Sequence, residues 1–180
     1  TEETAVVWKV KMNRESYEKK YKKTSSWFRE EKIRLQLFTH IYRTLPLFVI
    51  VVYGIVILST IINGNKGDIF RIITVPFITF LFCTFIRILI DEQRPYEDYN
   101  INPLIQKDKR GQSFPSRHVV SAAVIAVAAL YVNVSLGIIM LIVCIIIAII
   151  RPIAGVHYVR DVVAGIILGI GCGIIGFYII

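Results

Sequence analysis

The sequence is poor in charged residues and in cysteine. Only 19% of its 180 residues are Asp, Glu, Lys or Arg, whereas 55% are hydrophobic, and the mean hydropathy is +0.61. A soluble domain of this size normally carries more charge and fewer apolar residues. The three cysteines, Cys83, Cys144 and Cys172, lie inside apolar runs at spacings that match no zinc or disulfide framework. The composition therefore indicates an integral membrane protein without a disulfide-bonded scaffold.

Apolar runs of membrane-spanning length fill most of the chain after residue 44. The five predicted spans cover 45–62, 69–90, 116–132, 136–150 and 158–180. Pro76 lies inside the second span, where a kink is tolerated if a neighbouring helix satisfies the freed carbonyl. Small residues, alanines in the third span and Gly165, Gly169 and Gly173 in the fifth, favour close helix contact. The predicted fold is an all-α membrane bundle of about five transmembrane helices.

Basic residues are concentrated near the N-terminus of this sequence, whose net charge is +8. Eleven of the 21 Lys and Arg residues are Lys9, Lys11, Arg14, Lys19, Lys20, Lys22, Lys23, Arg29, Lys32, Arg34 and Arg43. Such a segment attracts anionic lipid headgroups, and no nucleic-acid-binding motif accompanies it. Aromatic residues among the cations favour an amphipathic interfacial helix over 13–44, with a plain extension of the first span as the alternative. We predict a basic amphipathic N-terminal region over 1–44 and a transmembrane domain over 45–180.

Three clusters of polar residues interrupt the apolar runs. They are Arg87 with Arg94-Pro95, then Pro115-Ser116-Arg117-His118, then Arg151 with His157 and Asp161. A charge near the centre of a bilayer costs on the order of 3 kcal/mol, so such residues are usually functional. With five spans, all three clusters fall on one side of the membrane. The span count therefore predicts that they form a single site.

The residue types in these clusters suit phosphate chemistry. Ser116 precedes a predicted helix whose free N–H groups attract phosphate, and arginine forks match phosphate oxygens. His157 and Asp161 are four residues apart and would share one helix face, so that the carboxylate orients the imidazole for nucleophilic attack. Metal ligation by His118, His157 and Asp161 is the alternative, although the surrounding arginines disfavour a cation.

The order and spacing of these motifs resemble the type 2 phosphatidic acid phosphatase superfamily, in its membrane-bound lipid phosphatase branch. The resemblance covers about residues 69–180. It implies a metal-independent lipid phosphatase that acts on phosphatidylglycerophosphate, undecaprenyl diphosphate or phosphatidic acid. It also implies a multi-pass protein of the bacterial plasma membrane that needs no cofactor.

The resemblance assigns a role to each matching residue. His157 would be the nucleophile that forms a phosphohistidine, Asp161 would orient it, and His118 would protonate the leaving oxygen. Five residues would bind the substrate phosphate: Arg87, Arg94, Ser116, Arg117 and Arg151.

Three positions depart from the residues usual in that family. Arg87 stands where lysine is usual and keeps the positive charge. Ile150 replaces a serine before Arg151, so one hydrogen bond to phosphate is expected to be missing. Arg117 replaces glycine and adds a cation, which suits a diphosphate or a second anionic group.

Two other functions fit parts of the sequence. A non-catalytic membrane protein that binds anionic lipid would use the basic region and the arginines, but it would not need His118 or the His157–Asp161 pair. A transporter or channel would need charges along a path, whereas these lie on one face only.

The side of the membrane that the site faces is open at this point. With five spans, the basic N-terminal region lies on the same side as the clusters, and the positive-inside tendency places that side in the cytoplasm. Many bacterial members of the resembled family work on the outer face instead.

Overall fold

The computed structural model describes residues 14–63 and 66–179, and every regular element in these ranges is helical. The helices are α1 (Arg14–Arg29), α2 (Lys32–Asn63), α3 (Lys66–Ile90), α4 (Pro95–Asp98), α5 (Arg117–Val132), α6 (Val134–Ile153) and α7 (Val159–Ile174). A π-helical turn, Ile175–Ile179, follows α7. The connection between the first two predicted spans, residues 63–68, is shorter in the structure, because α2 ends at Asn63 and α3 begins at Lys66; residues 64–65 lie outside the described residues.

Within the described residues, four helical segments are long and apolar enough to cross a membrane. They are α2, α3 extended to Asp98, α6, and α7 with its π-helical turn. Helix α5 has 16 residues and is shorter, about 24 Å at the usual rise per residue. It contacts α2, α3, α6 and α7 and forms the centre of the bundle. The predicted all-α membrane bundle is confirmed.

Small residues bring α5 and α7 into close contact. The alanines of α5 are completely buried: Ala122, Ala123, Ala126, Ala128 and Ala129. A Cβ atom on Gly169 of α7 would lie only 2.6 Å from the Cβ of Ala123 and from the carbonyl oxygen of Val120. Gly165 and Gly173 face α5 in the same way. The predicted small-residue contact is therefore confirmed, and it is a contact between the third and fifth spans.

Helix α3 continues through Pro76 because a neighbouring helix supplies the missing donor. Proline has no N–H, so the carbonyl of Ile72, four residues earlier, lacks its helical partner. The hydroxyl of Tyr53 on α2 donates to that carbonyl oxygen at 2.9 Å. The expectation that a neighbour satisfies the freed carbonyl is confirmed.

The N-terminal helix differs from the prediction of one helix over 13–44. Helix α1 ends at Arg29, α2 begins at Lys32, and the break falls at Glu30 and Glu31. Two adjacent carboxylates oppose the negative end of the α1 dipole but favour the start of α2, where Glu31 pairs with Arg34 at 2.7 Å. Residues 32–44 thus extend the first span, and the division of the chain at residue 44 stays a prediction.

Helix α1 packs on the loop that follows α4. The backbone N–H of Asn100 donates to Glu18 at 3.1 Å, and that of Leu104 donates to the hydroxyl of Tyr21 at 3.0 Å. Arg29 donates to the carbonyl oxygen of Asn102 at 2.9 Å. Because this loop leads to the second polar cluster, α1 lies at the same end of the bundle as the clusters.

The contact between α5 and α7 can be tested with two glycines of one helix. We expect Gly169→Ala to lower the free energy of unfolding by about 1–3 kcal/mol, the usual cost of overpacking. Gly171→Ala is the matched control, because its Cβ would have no neighbour within 4 Å and alanine favours a helix. The measurement is reversible unfolding in detergent. Equal effects of the two substitutions would contradict the packing.

Candidate active site

The three polar clusters meet at one end of the bundle and are joined by direct hydrogen bonds. Arg87, in the last turn of α3, donates to the carbonyl oxygen of Pro115 and, at 3.2 Å, to that of Ser113. The hydroxyl of Ser113 donates to Asp161 Oδ2 at 2.5 Å. The backbone N–H of Ser116 donates to the carbonyl oxygen of Asp161 at 3.0 Å. The structure therefore brings all three clusters into one site.

Three arginines are buried in this site, and we call Arg87, Arg94 and Arg151 the clamp arginines. They are 2%, 4% and 1% exposed, respectively. Each donates to a fixed oxygen: Arg87 to Ser113 as above, Arg94 Nε to the carbonyl of Gly111 at 3.0 Å, and Arg151 to the hydroxyl of Tyr42 at 2.7 Å. These bonds fix the orientation of the guanidinium forks, whose remaining N–H groups suit an oxyanion.

One glutamate connects the backbone at Arg94 to the backbone at Gly111. Pro95 begins the short helix α4, and Glu97 in its first turn accepts from the backbone N–H of Arg94 at 2.9 Å. The same carboxylate accepts from the backbone N–H of Gly111, also at 2.9 Å. Gly111 has a φ of 61°, a conformation that favours glycine, and a Cβ there would lie 2.6 Å from Asp91. Glu97 therefore places the Gly111 carbonyl where Arg94 Nε donates to it.

Ser116 occupies the N-cap position of α5, as predicted, but its hydroxyl does not cap the helix. The residue is completely buried. Across the described ranges, Ser116 Oγ and Arg151 Nε are both buried and have no hydrogen-bond partner. Buried polar atoms are nearly always paired, so these two atoms suit a water molecule or a polar ligand.

His157 and Asp161 meet, but not on one helix face as predicted. His157 lies in the turn before α7, where Gly155 has a φ of 79°. Asp161 is in the first turn of α7, and its Oδ2 accepts from the backbone N–H of Tyr158 at 2.9 Å. Oδ2 lies 3.4 Å from His157 Nδ1. Helix capping by Asp161, together with the glycine turn, therefore brings the pair together.

Burial lowers the pKa of His157 to about 4. The imidazolium form is disfavoured away from water, and the charges of Arg94 and Arg151 act in the same direction. Asp161 acts in the opposite direction, but its effect is smaller than that of burial. His157 is therefore neutral at neutral pH, with Nδ1 beside Asp161 and Nε2 available to a ligand.

Ser113 is a residue of this site that the sequence analysis missed. It is completely buried, and besides donating to Asp161 its Oγ lies 3.3 Å from His157 Nδ1. Its carbonyl also accepts from Arg87. The only signal in the sequence is its place beside the second cluster, because its partners lie 26 to 48 residues away.

Tyr42 of α2 is the second residue that was missed. Its hydroxyl accepts from Arg151, and the Cζ atom of Arg151 lies 4.4 Å from the centre of the Tyr42 ring. Ile150, which departs from the resembled family, packs in the same apolar cluster as Tyr42. A tyrosine in the first long apolar helix carries no motif, and 109 residues separate it from Arg151.

His118 and Arg117 begin α5 at the open side of the site. His118 is exposed, and its imidazole lies within electrostatic reach of Arg151, Lys107 and Arg117. Arg117 is half-buried, with its Cζ 5.6 Å from the centre of the Phe80 ring. With these two, all eight residues predicted from the sequence lie at this end of the bundle.

The donor set of the site favours an anion. In the part of the chain that the structure describes, no group of three or more His, Cys, Asp or Glu side chains is placed to hold a metal ion. Three fixed guanidinium groups and an unpartnered hydroxyl instead lie at the same end of the bundle as His157, whose imidazole is within electrostatic reach of Arg94 and Arg151. Such a set suits a phosphoryl group, whose transition state spreads negative charge over three equatorial oxygens.

Two solved structures have a similar fold. One is the crystal structure of Aquifex aeolicus LpxE, with a TM-score of 0.68 and 21% identity over 88% of this chain and 92% of that chain. The other is a transmembrane PAP2-type phosphatidylglycerolphosphate phosphatase from Bacillus subtilis, with a TM-score of 0.69 and 21% identity over 93% of this chain and 86% of that chain. Among curated proteins, no sequence matches significantly.

The sequence profile of the PAP2 superfamily matches residues 68–180. This range contains all three polar clusters, α3 without its first two residues, and the whole of α4 to α7. The chain therefore belongs to the PAP2 superfamily.

Proposed function

We propose that the chain hydrolyses a phosphate monoester or diphosphate of a membrane lipid through a phosphohistidine on His157, without a metal ion. One observation carries this proposal. A buried, neutral imidazole lies with its Nδ1 beside Asp161 and Ser113, at the edge of a region lined by the clamp arginines. A neutral imidazole with one nitrogen held by a carboxylate is an activated nucleophile.

In the first step, His157 Nε2 attacks phosphorus and the bond from phosphorus to the lipid oxygen breaks. Asp161 accepts from Nδ1–H and stabilises the positive charge that develops on the ring. His118 donates a proton to the leaving oxygen, so that the lipid departs as an alcohol or a lipid monophosphate. The clamp arginines and Ser116 bind the oxygens of the transferred phosphoryl group, and Arg117 binds a substrate phosphate from the leaving-group side. Each charged hydrogen bond contributes about 1.5–3 kcal/mol.

In the second step, water attacks the phosphohistidine. His118, now neutral, accepts a proton from the attacking water, and the phosphorus–nitrogen bond breaks to release inorganic phosphate. His118 is exposed at the start of α5, so its imidazole can exchange protons with solvent between the two steps.

We propose phosphatidylglycerophosphate, undecaprenyl diphosphate and phosphatidic acid as the candidate substrates, and the bacterial plasma membrane as the location. The sequence motifs support these lipids, and one of the two structural relatives is a phosphatidylglycerolphosphate phosphatase. Both relatives come from bacteria.

The phosphohistidine is tested with a good leaving group, which needs no proton donor. With p-nitrophenyl phosphate, we expect His118→Gln to form the phosphoenzyme but to hydrolyse it slowly. Rapid mixing should then show a burst of about one p-nitrophenolate per protein molecule, followed by slow turnover. His157→Gln should show neither burst nor turnover.

Two outcomes would overturn this mechanism. Undiminished turnover by His157→Gln would rule out the nucleophile. Loss of wild-type phosphate release in EDTA would restore the metal alternative. A protein that binds lipid phosphates but releases no phosphate from any candidate lipid would instead be the non-catalytic anionic-lipid-binding protein.

Removal of the Ser113 hydroxyl should change the pH dependence. This hydroxyl donates to Asp161 Oδ2 and draws negative charge away from His157. In Ser113→Ala the full carboxylate charge faces the imidazole, which stabilises its protonated form and raises the pKa of His157 above its value of about 4. Because His157 must be neutral to attack, the acidic limb of kcat/KM should move to higher pH by about one unit.

The control for this experiment is Ser116→Ala. All variants are measured with the same lipid, so that titration of the substrate phosphate affects every pH profile equally. Ser116 Oγ has no partner among the described residues, so its loss should lower kcat/KM without moving the acidic limb. An acidic limb that stays in place in Ser113→Ala would contradict the effect assigned to its hydroxyl.

We also propose that α1 binds anionic lipid headgroups. Its cations Lys19, Lys20, Lys22 and Lys23 are exposed, as is Trp27, whereas Tyr21 is buried against the loop. Each lysine near an anionic surface contributes about 1 kcal/mol.

This second proposal is tested by thermal unfolding with added lipid. Phosphatidylglycerol should raise the melting temperature of the detergent-solubilised protein more than phosphatidylcholine does. We expect replacement of the four lysines by glutamine to remove most of that difference. A difference that survives the replacement would contradict lipid binding by α1.

A further inference from the structure

The cations of the active site fall into two groups that differ in how they are held. The clamp arginines are buried and donate to fixed oxygens. Lys107, in the loop before α5, and Arg117 are half-buried, and we call these two the outer cations. Lys107 Nζ lies 5.7 Å from the centre of the Tyr42 ring, and Arg117 Cζ lies 5.6 Å from that of Phe80. Within residues 14–63 and 66–179, neither outer cation has a carboxylate within ion-pair distance.

The clamp arginines alone balance the charge of one phosphate. The three arginines carry three positive charges and Asp161 carries one negative charge. The two positive charges that remain are neutralised by a phosphate dianion. The outer cations then add two positive charges. Glu97 and Asp108 line the same pocket as Lys107, but neither carboxylate is within ion-pair distance of its ammonium, so a simple phosphate ester leaves these two cations without a direct counterpart. The charge count therefore indicates a substrate with a further negative group.

The outer cations lie close to His118. The charges of Lys107 and Arg117 both act on its imidazole, and Lys107 is also within electrostatic reach of Arg94 and Arg151. Since His118 is the proposed proton donor to the leaving oxygen, the outer cations border the leaving-group side. Burial and the nearby arginines lower the pKa of Lys107 to about 8, and an anion beside its ammonium would oppose that shift.

We propose that Lys107 and Arg117 form a second anion subsite on the leaving-group side, which binds a second phosphate group of the substrate lipid. The substrate class is then a lipid whose scissile phosphate has another phosphate close to it. The second phosphate is linked either directly, as in a lipid diphosphate, or through glycerol, as in phosphatidylglycerophosphate. Phosphatidic acid carries no second phosphate. This inference rests on the proposed function for the identity of the leaving group.

The subsite is tested first by binding, which does not depend on turnover. The probes are methylenediphosphonate, which carries two phosphonate groups and is not hydrolysed, and inorganic phosphate. We expect the wild-type protein in detergent to bind the bisphosphonate at least about tenfold more tightly than phosphate in a calorimetric titration. In Lys107→Gln that ratio should fall about tenfold.

Lys109→Gln is the matched control for the binding experiment. Lys109 is exposed in the same loop and carries the same charge, so the control measures the non-specific effect of removing one cation. In Lys109→Gln, the ratio of the affinity for the bisphosphonate to that for phosphate should stay at the wild-type value. Equal binding of the two probes by the wild-type protein, or an equal loss in both variants, would overturn the subsite.

Kinetics then distinguish the two possible linkages and separate this inference from the proposed function. The values of kcat/KM are compared for farnesyl diphosphate, phosphatidylglycerophosphate and phosphatidic acid. Lys107→Gln should lower the value for the preferred two-phosphate lipid about tenfold relative to phosphatidic acid. Tight bisphosphonate binding without phosphate release from any lipid would refute the proposed phosphatase and leave the subsite standing. Phosphate release at the same rate from lipids with one and with two phosphates would refute the subsite and leave the proposed phosphatase standing.

Discussion

Burial of the clamp arginines is the constraint on which the rest of this end of the molecule depends. A buried cation without partners costs several kcal/mol, so the chain must provide acceptors close to each guanidinium. Two of the three find backbone carbonyls, Arg87 at Ser113 and Arg94 at Gly111, in the loop between α4 and α5. Those carbonyls are available because the loop is not helical. The same hydrogen bonds therefore hold the loop in place and orient the arginines. The conformation of the loop and the orientation of the guanidinium groups thus depend on each other.

Helix packing connects this arrangement to His157, the proposed nucleophile. Gly165 lets α7 approach the start of α5 so closely that a Cβ would lie 3.1 Å from the carbonyl oxygen of Ser116. That approach allows the backbone N–H of Ser116 to reach the Asp161 carbonyl at 3.0 Å. The Asp161 side chain then contacts Ser113 and His157 through its Oδ2 atom. Contacts that look purely structural, between small residues in the membrane interior, thus determine the distance between the phosphate-binding residues and the imidazole.

The sequence predicts the parts of this site that depend on pattern. Runs of apolar residues locate the spans, and counting them places the three clusters at one end, because each crossing reverses the side. Pattern does not reveal Ser113 or Tyr42, since a loop serine and a helical tyrosine become site residues only through partners far along the chain. The helical spacing of His157 and Asp161 predicts their contact for the wrong reason: Gly155 turns the chain before α7, and helix capping rather than a shared face brings them together.

Electrostatics explains why such a costly arrangement suits catalysis. Two like charges about 8 Å apart at an effective dielectric constant of about 20 repel each other by about 2 kcal/mol, and this site gathers several cations around one carboxylate. Hydrogen bonds to carbonyls orient the guanidinium groups but do not neutralise them. A phosphate dianion relieves that repulsion, and the charge that spreads over its equatorial oxygens in the transition state meets donors that are already oriented. The same cations help to keep His157 neutral, which the proposed mechanism requires of its nucleophile.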